Sequence, residues 1–492
     1  MGRRRHADAH GDGRRERDQH ARPRARFSRR SQIAVLVAGA AAAALLLLGP
    51  RAWRTFAARD IPRLPELDSQ PPAVKQHLRE AFGAAAANPS DDAIGSYCLA
   101  LHADMLFADA ERCYEVVERR EPSAWAWSYY RVLILNERGG GDDLTRDLRL
   151  IAGRAPDFAP VWWRLGEAEF KRGRHGAASE AWKRAAAAPE PDRGPGTPAH
   201  TVDVPVAAYA ALGLARVSLA EGRTEDAHRL LTTATMVAPR FGLAYRLLTE
   251  TNETLGRRAD AARAQGQAAR LPAFAPYADP MIDALARVSR SATFLLRQAS
   301  EADPETNGPW SEYLLRRALE FDPGNPDVLA KLGRVLRNLG RNGEALDAFR
   351  AYHEKVPGDF EGTAQIGSSL TEIGRLDEAE RFLREALTGL DDARTHYNLG
   401  VVLSGLNRSA EASAEYRRAL ERDPYLVDAR NNLAAQLARE GRLAEASAEL
   451  ERVLELEPDN ARALANLRVI GQRGHAGQTS GQPSASGISR PK

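Results

Sequence analysis

The chain has 492 residues, of which 43% are hydrophobic and 27% are charged, and its formal net charge is +3. Residues 1–30 contain eleven arginines and four acidic residues, a local net charge of +7, so the rest of the chain carries 3 minus 7, or −4. Nucleic-acid affinity depends on clustered Lys and Arg, so this mildly acidic body argues against a nucleic-acid-binding groove along its length. Cysteine and histidine pairs at the spacing of metal ligands are missing from the sequence, and we predict neither a metal site nor a cofactor.

The first predicted element is an apolar segment at residues 33–49, IAVLVAGAAAAALLLLG, which contains no charged residue. Its seventeen residues are at the short end of the length that spans a membrane as an α-helix. The arginine excess in residues 1–30, which read as a disordered tail, places the amino terminus in the cytoplasm. We therefore predict a single-pass inner-membrane anchor within residues 31–50, with the following chain outside that membrane, most simply in a bacterial periplasm.

A cleaved signal peptide is the alternative interpretation of this segment, since a charged start followed by an apolar stretch suits both. Arg51 and Arg54 follow the apolar run directly, and no clear small-x-small cleavage site is visible, which favours an uncleaved anchor. Residues 51–72 contain several prolines and are predicted to form a stiff spacer that holds the rest of the chain away from the bilayer.

From residue 73 onward the chain repeats one pattern, most clearly at residues 326–460. Small residues recur at steps of 34, 33 and 34 residues, namely Gly333, Gly367, Gly400 and Ala434. Each is followed after twelve residues by an alanine and four residues later by an aromatic residue or leucine: Ala345 and Phe349, Ala379 and Leu383, Ala412 and Tyr416, Ala446 and Leu450. Apolar residues at helical spacing lie around a turn in each unit, so each unit is predicted to be two antiparallel helices. Such pairs must stack on their neighbours to bury their apolar faces.

This pattern resembles the tetratricopeptide repeat family. The resemblance is strongest at residues 326–460, and upstream units keep the period in a more degenerate form, as in the unit that contains Tyr97, Cys98, Leu101, Ala110 and Tyr114. It implies an all-α fold, a right-handed superhelical solenoid of about ten antiparallel helix pairs that follows the single N-terminal transmembrane helix.

Two interruptions divide the predicted array. An N-terminal sub-array at residues 73–275 contains a Pro- and Gly-rich loop insertion at residues 189–205. An irregular joint follows at residues 276–325, and a regular C-terminal sub-array with a capping helix occupies residues 326–472. Residues 473–492 have the composition of a disordered tail.

The two cysteines, Cys98 and Cys113, lie fifteen residues apart on the two helices of the first clear unit. On packed antiparallel helices in an oxidising compartment they could form a disulfide, and two buried thiols are the alternative. Cys98 is at the small-residue position that faces the second helix, whereas Cys113 lies one residue before the aromatic position, so the sequence leaves their alignment open.

One slot in successive first helices holds polar residues, namely Lys331, Gln365, Asn398, Asn432 and Asn466. The resemblance implies that first helices line a concave surface and that this slot lies on the lining. A side-chain amide offers both a donor and an acceptor, so the row could hydrogen-bond the backbone of an extended peptide without reading its sequence. A similar asparagine ladder is found in the repeats of O-linked N-acetylglucosamine transferase. The alternative is that asparagine is simply the residue this family prefers at the slot.

Two other side chains are candidates for a role beside this row. Trp163 could face the concave surface as an apolar anchor or pack in the core. His396 occupies a helix-packing position and is predicted to be a partly buried packing histidine. The lysine, asparagine and arginine clamp by which some family members bind a terminal carboxylate is missing, because its slots hold Ala330, Arg334, Ala364, Ser368, Tyr397 and Val401.

The sequence contains no phosphate loop, dinucleotide fingerprint, HExxH or GxSxG motif, and the repeats use nearly all of its residues. We therefore predict that the protein is not an enzyme but a membrane-anchored scaffold that binds protein or peptide partners in the cell envelope. One alternative is an accessory subunit of an envelope enzyme or export system, for polysaccharide or glycosyl transfer. Another is a soluble periplasmic repeat protein released by signal cleavage.

Overall fold

The computed structural model describes residues 58–191, 204–271, 277, 279–301 and 304–479. These residues form a short 3-10 helix, Ala58–Asp60, and 23 α-helices, without any strand. The all-helical fold expected from the sequence is thus confirmed for the described ranges. The predicted amino-terminal tail and anchor, the centre of the insertion and residues 480–492 of the carboxyl-terminal tail lie outside them. Residues 473–479, the predicted start of that tail, instead continue the last helix, Ala461–Thr479. By its contacts the chain divides into two units, Met1–Asp60 and Ile61–Lys492, and the helices below belong to the second.

The helices are labelled in chain order. Before residue 272 they are α1 Pro72–Ala87, α2 Asp91–Ala103, α3 Phe107–Arg120, α4 Trp125–Glu137, α5 Gly141–Arg154, α6 Ala159–Lys171, α7 His175–Ala187, α8 Val206–Ala220, α9 Thr224–Val237, α10 Gly242–Thr254 and α11 Arg258–Arg270. After it they are α12 Pro280–Val288, α13 Ala292–Glu301, α14 Pro304–Phe321, α15 Pro326–Asn338, α16 Asn342–Lys355, α17 Phe360–Glu372, α18 Leu376–Ala386, α19 Ala393–Gly405, α20 Ser409–Arg422, α21 Val427–Arg439, α22 Leu443–Leu456 and α23 Ala461–Thr479. Within these ranges, no helix has both the length and the apolar character needed to cross a membrane.

Most helices pack as pairs of a first and a second helix, and each pair packs on the next pair. Ten pairs are present in the described ranges: α2–α3, α4–α5, α6–α7, α8–α9, α10–α11, α13–α14, α15–α16, α17–α18, α19–α20 and α21–α22. The close approach within a pair depends on the small residues that define the sequence period. A Cβ atom added at Gly333 would lie 2.7 Å from the Phe349 ring, and one at Gly400 would lie 2.6 Å from the Tyr416 ring. Larger residues would therefore separate the paired helices.

The turn inside each pair has its own local signal. Gly340 lies between α15 and α16 with φ 74°, and Asn407 occupies the same turn position between α19 and α20 with φ 62°. Glycine and asparagine tolerate this left-handed conformation better than other residues, so each terminates its first helix at the same point in the period.

Three helices occupy the stretch expected to be an irregular joint. α13 and α14 form a pair that packs on α15, whereas α12 packs against α2, far from it in sequence. The chain therefore returns to the first repeats before the C-terminal half begins.

Cys98 in α2 and Cys113 in α3 are joined by a disulfide in the structure, with their Cα atoms 5.3 Å apart. Both side chains are fully buried. The bond links the two helices of the first pair directly.

Candidate peptide-binding faces on the first helices

The predicted polar row lies in register on five helices. Lys331, Gln365, Asn398, Asn432 and Asn466 are each the fifth residue after the first residue of α15, α17, α19, α21 and α23, respectively. All five side chains are half-buried. We call the surface formed by this row and the adjoining positions of the same helices the C-terminal first-helix face.

Two amides of the row already accept hydrogen bonds from arginines. The Gln365 Oε1 atom accepts from Arg337 Nη1, which links α17 to α15. The Asn432 Oδ1 atom accepts from Arg462 Nη2 at 2.9 Å, which links α21 to α23. The row is therefore part of a polar network that connects successive first helices.

The N-terminal half carries different side chains at the corresponding position and at the one or two positions before it. Tyr129 is the fourth residue after the start of α4, and Trp163 and Arg164 are the fourth and fifth after the start of α6. These positions, together with Tyr209 in α8, form what we call the N-terminal first-helix face. It is aromatic and cationic, whereas the C-terminal first-helix face is mainly amide-bearing.

A segment of the chain itself lies across the N-terminal first-helix face. This segment, residue 277 together with residues 279–291, is called the strap. Its Asp279 side chain accepts a hydrogen bond from the Tyr129 hydroxyl at 2.7 Å and an ion-pair hydrogen bond from Arg164 Nη2 at 3.0 Å. The Asp279 carboxylate is 2% exposed and the Arg164 side chain 10% exposed, so the ion pair is buried.

The amino-terminal end of the strap packs on aromatic rings. The Tyr277 ring centroid lies 4.3 Å from that of Trp163 and 5.8 Å from that of Tyr209. The Arg164 guanidinium lies 5.6 Å from the Tyr277 ring centroid, a cation–π contact. Trp163 therefore lies against the strap and the core, which combines the two roles that the sequence left open.

The carboxyl-terminal end of the strap reaches the end of α2. The Ser289 hydroxyl donates to the Ala103 carbonyl oxygen at 2.8 Å, and the Arg290 backbone N–H donates to Asp104 Oδ1 at 2.9 Å. The other Asp104 carboxylate oxygen lies 2.7 Å from His77 Nδ1. The strap thus runs from α8 past α6 and α4 to α2, against the order of the repeats.

Electrostatics explain how the buried Arg164 stays charged. Burial opposes its charge, but Tyr129, Tyr277 and Asp279 raise the pKa of Arg164 well above its ordinary value. Burial raises the pKa of the Tyr129 phenol well above its usual range, and Asp279 adds to this shift while Arg164 opposes it. Arg164 is therefore a cation and Tyr129 a neutral hydrogen-bond donor, which suits both to bind a carboxylate.

The sequence prediction missed the strap, although two local features mark it. Asp279 caps α12 by accepting from the Met281 N–H at 3.1 Å, and Pro280 is the first residue of the helix. A capped helix of nine residues without the alanine and aromatic marks of a second helix does not belong to a repeat pair. That signal identifies an element outside the array but does not say where it packs.

His396 is more than a packing residue. It is 7% exposed, its Nδ1 atom lies 2.6 Å from a Glu415 carboxylate oxygen, and its Nε2 atom lies 2.9 Å from an Asp391 carboxylate oxygen. Arg422 Nη2 pairs with the second Asp391 oxygen at 2.6 Å. No group of three His, Cys, Asp or Glu side chains in the described ranges could hold a metal ion.

Antiparallel helix pairs stacked at a constant step, with polar first-helix faces, define a helical-repeat protein of the solenoid class. Two segments match models of the tetratricopeptide repeat, residues 314–347 and residues 393–425, so the chain contains tetratricopeptide repeats. Proteins built from such repeats generally serve as noncatalytic scaffolds for protein interactions. None of the curated proteins compared with the chain matches it.

Several solved structures are similar to part of the chain. MamA from Desulfovibrio magneticus RS-1, residues 41 to the end, is 20% identical over 35% of this chain and 97% of its own, with a TM-score of 0.32. TTC0263, a thermophilic tetratricopeptide repeat protein of Thermus thermophilus, is 22% identical. The match covers 37% of this chain and 100% of TTC0263, with a TM-score of 0.32. The pilF protein of Pseudomonas aeruginosa is 21% identical. The match covers 38% of this chain and 86% of the pilF chain, with a TM-score of 0.35.

Proposed function

We propose that this protein is a noncatalytic scaffold whose C-terminal first-helix face binds an extended segment of a partner protein. The observation that carries the proposal is the strap. In the N-terminal half, Tyr129 and Arg164 of two first helices already bind Asp279, the capping residue of α12, in a segment that lies outside the repeat pairs. A first-helix face of this protein can thus hold a separate polypeptide segment, which supports the same role for the other half.

The C-terminal face has the chemistry for a backbone ligand. Asn398, Asn432 and Asn466 recur at one period, so their amides lie in register on successive first helices. Each can donate to a carbonyl oxygen and accept from a backbone N–H. Such bonds hold a segment in place while leaving sequence preference to the neighbouring side chains.

The N-terminal first-helix face is the weaker candidate for a partner, because the strap covers it. Displacing the strap would break the buried ion pair and leave Arg164 without its counter-ion beneath a partner, and an intramolecular segment also competes at a high effective concentration. A partner therefore meets less competition on the C-terminal face.

The test is crosslinking and pull-down from intact membranes with the full-length chain. The variant replaces Asn398, Asn432 and Asn466 together by alanine. The matched control replaces three half-buried neutral residues of second helices, Asn342, Ser409 and Ser447, by alanine. We expect the wild type and the control to capture the same partner and the asparagine variant to lose it, with helicity unchanged in all three.

Equal capture by the asparagine variant would contradict binding through this row. A stoichiometric enzyme in the captured fraction would show that the scaffold acts as an accessory subunit of an enzyme system. Folding of each variant is checked by circular dichroism, because Asn432 also accepts a hydrogen bond from Arg462.

We also propose that the apolar residues 33–49 anchor the protein in the inner membrane, with the repeats on the outer side. The seventeen uncharged residues and the preceding arginine excess support this topology. A reporter fused after Lys492 should be active only in the extracytoplasmic compartment. Activity of a cytoplasmic reporter at that position would contradict it, and release of the fusion in soluble form would indicate cleavage instead of anchoring.

A further inference from the structure

We propose that the C-terminal first-helix face selects partner segments that carry acidic side chains, and that Arg334, Arg337 and Arg394 bind those carboxylates. This inference rests on the proposed function, since it names the chemical class of the segment that the same face binds. The three arginines are called the arginine cluster.

The cluster has members on the first and third of three successive repeats and lies next to the polar row. Arg334 and Arg337 are one turn apart on α15, and Arg394 lies near the start of α19. Between these helices in repeat order is α17, whose Gln365 accepts a hydrogen bond from Arg337. The amide thereby fixes the position of one guanidinium group beside the row.

The cluster lacks an acidic counterpart in the described part of the chain. Arg334 and Arg394 are exposed, and no described carboxylate lies within 4.0 Å of any of the three guanidinium groups. The pKa of Arg337 is lowered, first by burial and then by the positive charges of Arg394 and Arg334, while Glu372 opposes the shift only in part. The charges therefore repel each other across the face, and a bound carboxylate would relieve that repulsion.

Other arginines of this half show that pairing is the usual arrangement. Each second helix from α16 onward is preceded by an arginine that pairs with a glutamate three residues further on: Arg341 with Glu344, Arg375 with Glu378, Arg408 with Glu411 and Arg442 with Glu445. Those pairs lie at the starts of second helices. The arginine cluster lies on first helices, where a ligand can supply the missing charge.

The strap shows how such a carboxylate is bound in this protein. Arg164, on the N-terminal first-helix face, pairs at 3.0 Å with Asp279, the capping residue of α12 in the strap. The C-terminal face offers three guanidinium groups in two repeats and the adjoining amides, which fits a polypeptide with several Asp or Glu residues. A nucleic acid would instead require basic groups along a longer path.

The experiment measures fluorescence anisotropy of labelled peptides with the full-length protein. The probe is a peptide of about twelve residues that alternates Glu and Ser, and the control peptide alternates Gln and Ser. The variant replaces Arg334, Arg337 and Arg394 by glutamine. The matched variant replaces three arginines of second helices, Arg381, Arg417 and Arg452, by glutamine, so both variants have the same net charge.

We expect the acidic peptide to bind the wild type and the matched variant alike, and the cluster variant roughly tenfold or more weakly. The Gln peptide should bind weakly to all three. Equal affinity of the two variants for the acidic peptide would overturn the proposal. The proposal would also be overturned if the wild type bound an oligothymidylate as tightly as an acidic peptide of the same charge. In the pull-down, the asparagine variant could lose the partner while the cluster variant still captures it fully. That result would overturn this inference but leave the proposed scaffold function standing.

Discussion

At the scale of single residues, the most demanding arrangement is the buried cluster of Asp279, Arg164 and Tyr129. Arg164 Nε also donates to the Tyr129 hydroxyl at 2.9 Å, so each of the three side chains contacts the other two. The cluster joins the strap to α4 and α6. Removing one member leaves the others buried without their partners, which costs more than the net contribution of the intact pair.

We predict that Asp279→Ala lowers the free energy of unfolding by about 3 to 5 kcal/mol, because Arg164 becomes a buried charge without its counter-ion. The measurement is urea unfolding followed by tryptophan fluorescence, since Trp163 packs against Tyr277 of the strap. In the double variant Asp279→Leu with Arg164→Met no uncompensated charge remains, and part of the stability should return. A double variant less stable than Asp279→Ala would contradict this explanation.

A second residue-scale prediction concerns His102, which is 2% exposed and lies 3.2 Å from the Tyr114 hydroxyl through its Nδ1 atom. Burial, helped by the charge of Arg297, lowers the pKa of His102 to about 3. The unfolded chain binds this proton near pH 6.5, so between these values the unfolded state holds more protons than the folded one. The stabilising contribution is complete above pH 6.5 and is lost as the pH falls.

At pH 5.5 this one group should cost about 1.4 kcal/mol of stability relative to neutral pH. The measurement compares urea midpoints of the wild type and His102→Gln between about pH 7.5 and 5. The glutamine variant lacks the titrating ring, so its stability should fall less steeply with pH. Parallel pH profiles of the two proteins would show that His102 does not contribute to the pH dependence.

At the scale of elements, the sequence period was sufficient to predict the helix pairs. Small residues such as Gly333 and Gly400 must lie where two helices approach, and aromatic residues such as Phe349 and Tyr416 must face them. These contacts connect residues within one unit, so a local pattern reveals them. For the same reason the five positions of the polar row could be predicted to share one slot.

The strap could not be predicted in this way. Asp279 and Arg164 are separated by 115 residues, and α12 packs more extensively against α2 than against the next helix in sequence, α13. A local pattern carries no information on such a contact. The contact of Arg337 with Gln365 was missed for a related reason, because it depends on the conformation of a long side chain and not on the period.

The disulfide is the remaining feature of one helix pair that can be tested directly. Cys98 and Cys113 are separated by 15 residues, and a bond that closes a loop of this size stabilises a folded protein by about 3 kcal/mol. We predict that reduction of the isolated protein lowers its unfolding midpoint by a corresponding amount. The reductant should have no effect on the variant Cys98→Ala with Cys113→Ala.

Thiol alkylation before and after reduction gives an independent measurement in the same samples. The protein prepared from an oxidising compartment should take up label only after reduction under denaturing conditions, since both cysteines are fully buried. Label incorporated by the denatured protein without reduction would mean that the bond does not form there.

At the scale of the whole repeat array, the strap adds contacts between repeats that are not adjacent. In a solenoid each unit contacts only adjacent units, so distant units can unfold separately. Here Ser289 and Arg290 contact the end of α2, and Arg317 of α14 donates to the Ser289 carbonyl oxygen at 3.0 Å. The first and later repeats are therefore connected through the strap as well as along the chain.

We predict that the array unfolds in one transition when the strap is intact and in two when the strap is weakened. Five of the six described tryptophans lie in α4, α6 and α7, so their fluorescence reports mainly on the N-terminal half, whereas circular dichroism reports on all helices. The two signals should coincide for the wild type and for Glu320→Ala, a change at an exposed position of α14. In the variant Asp279→Ala with Ser289→Ala, fluorescence should change at lower urea than circular dichroism. Coincident signals in that variant, or separate ones in the wild type, would mean that the strap packs on the first repeats without coupling them to the rest of the array.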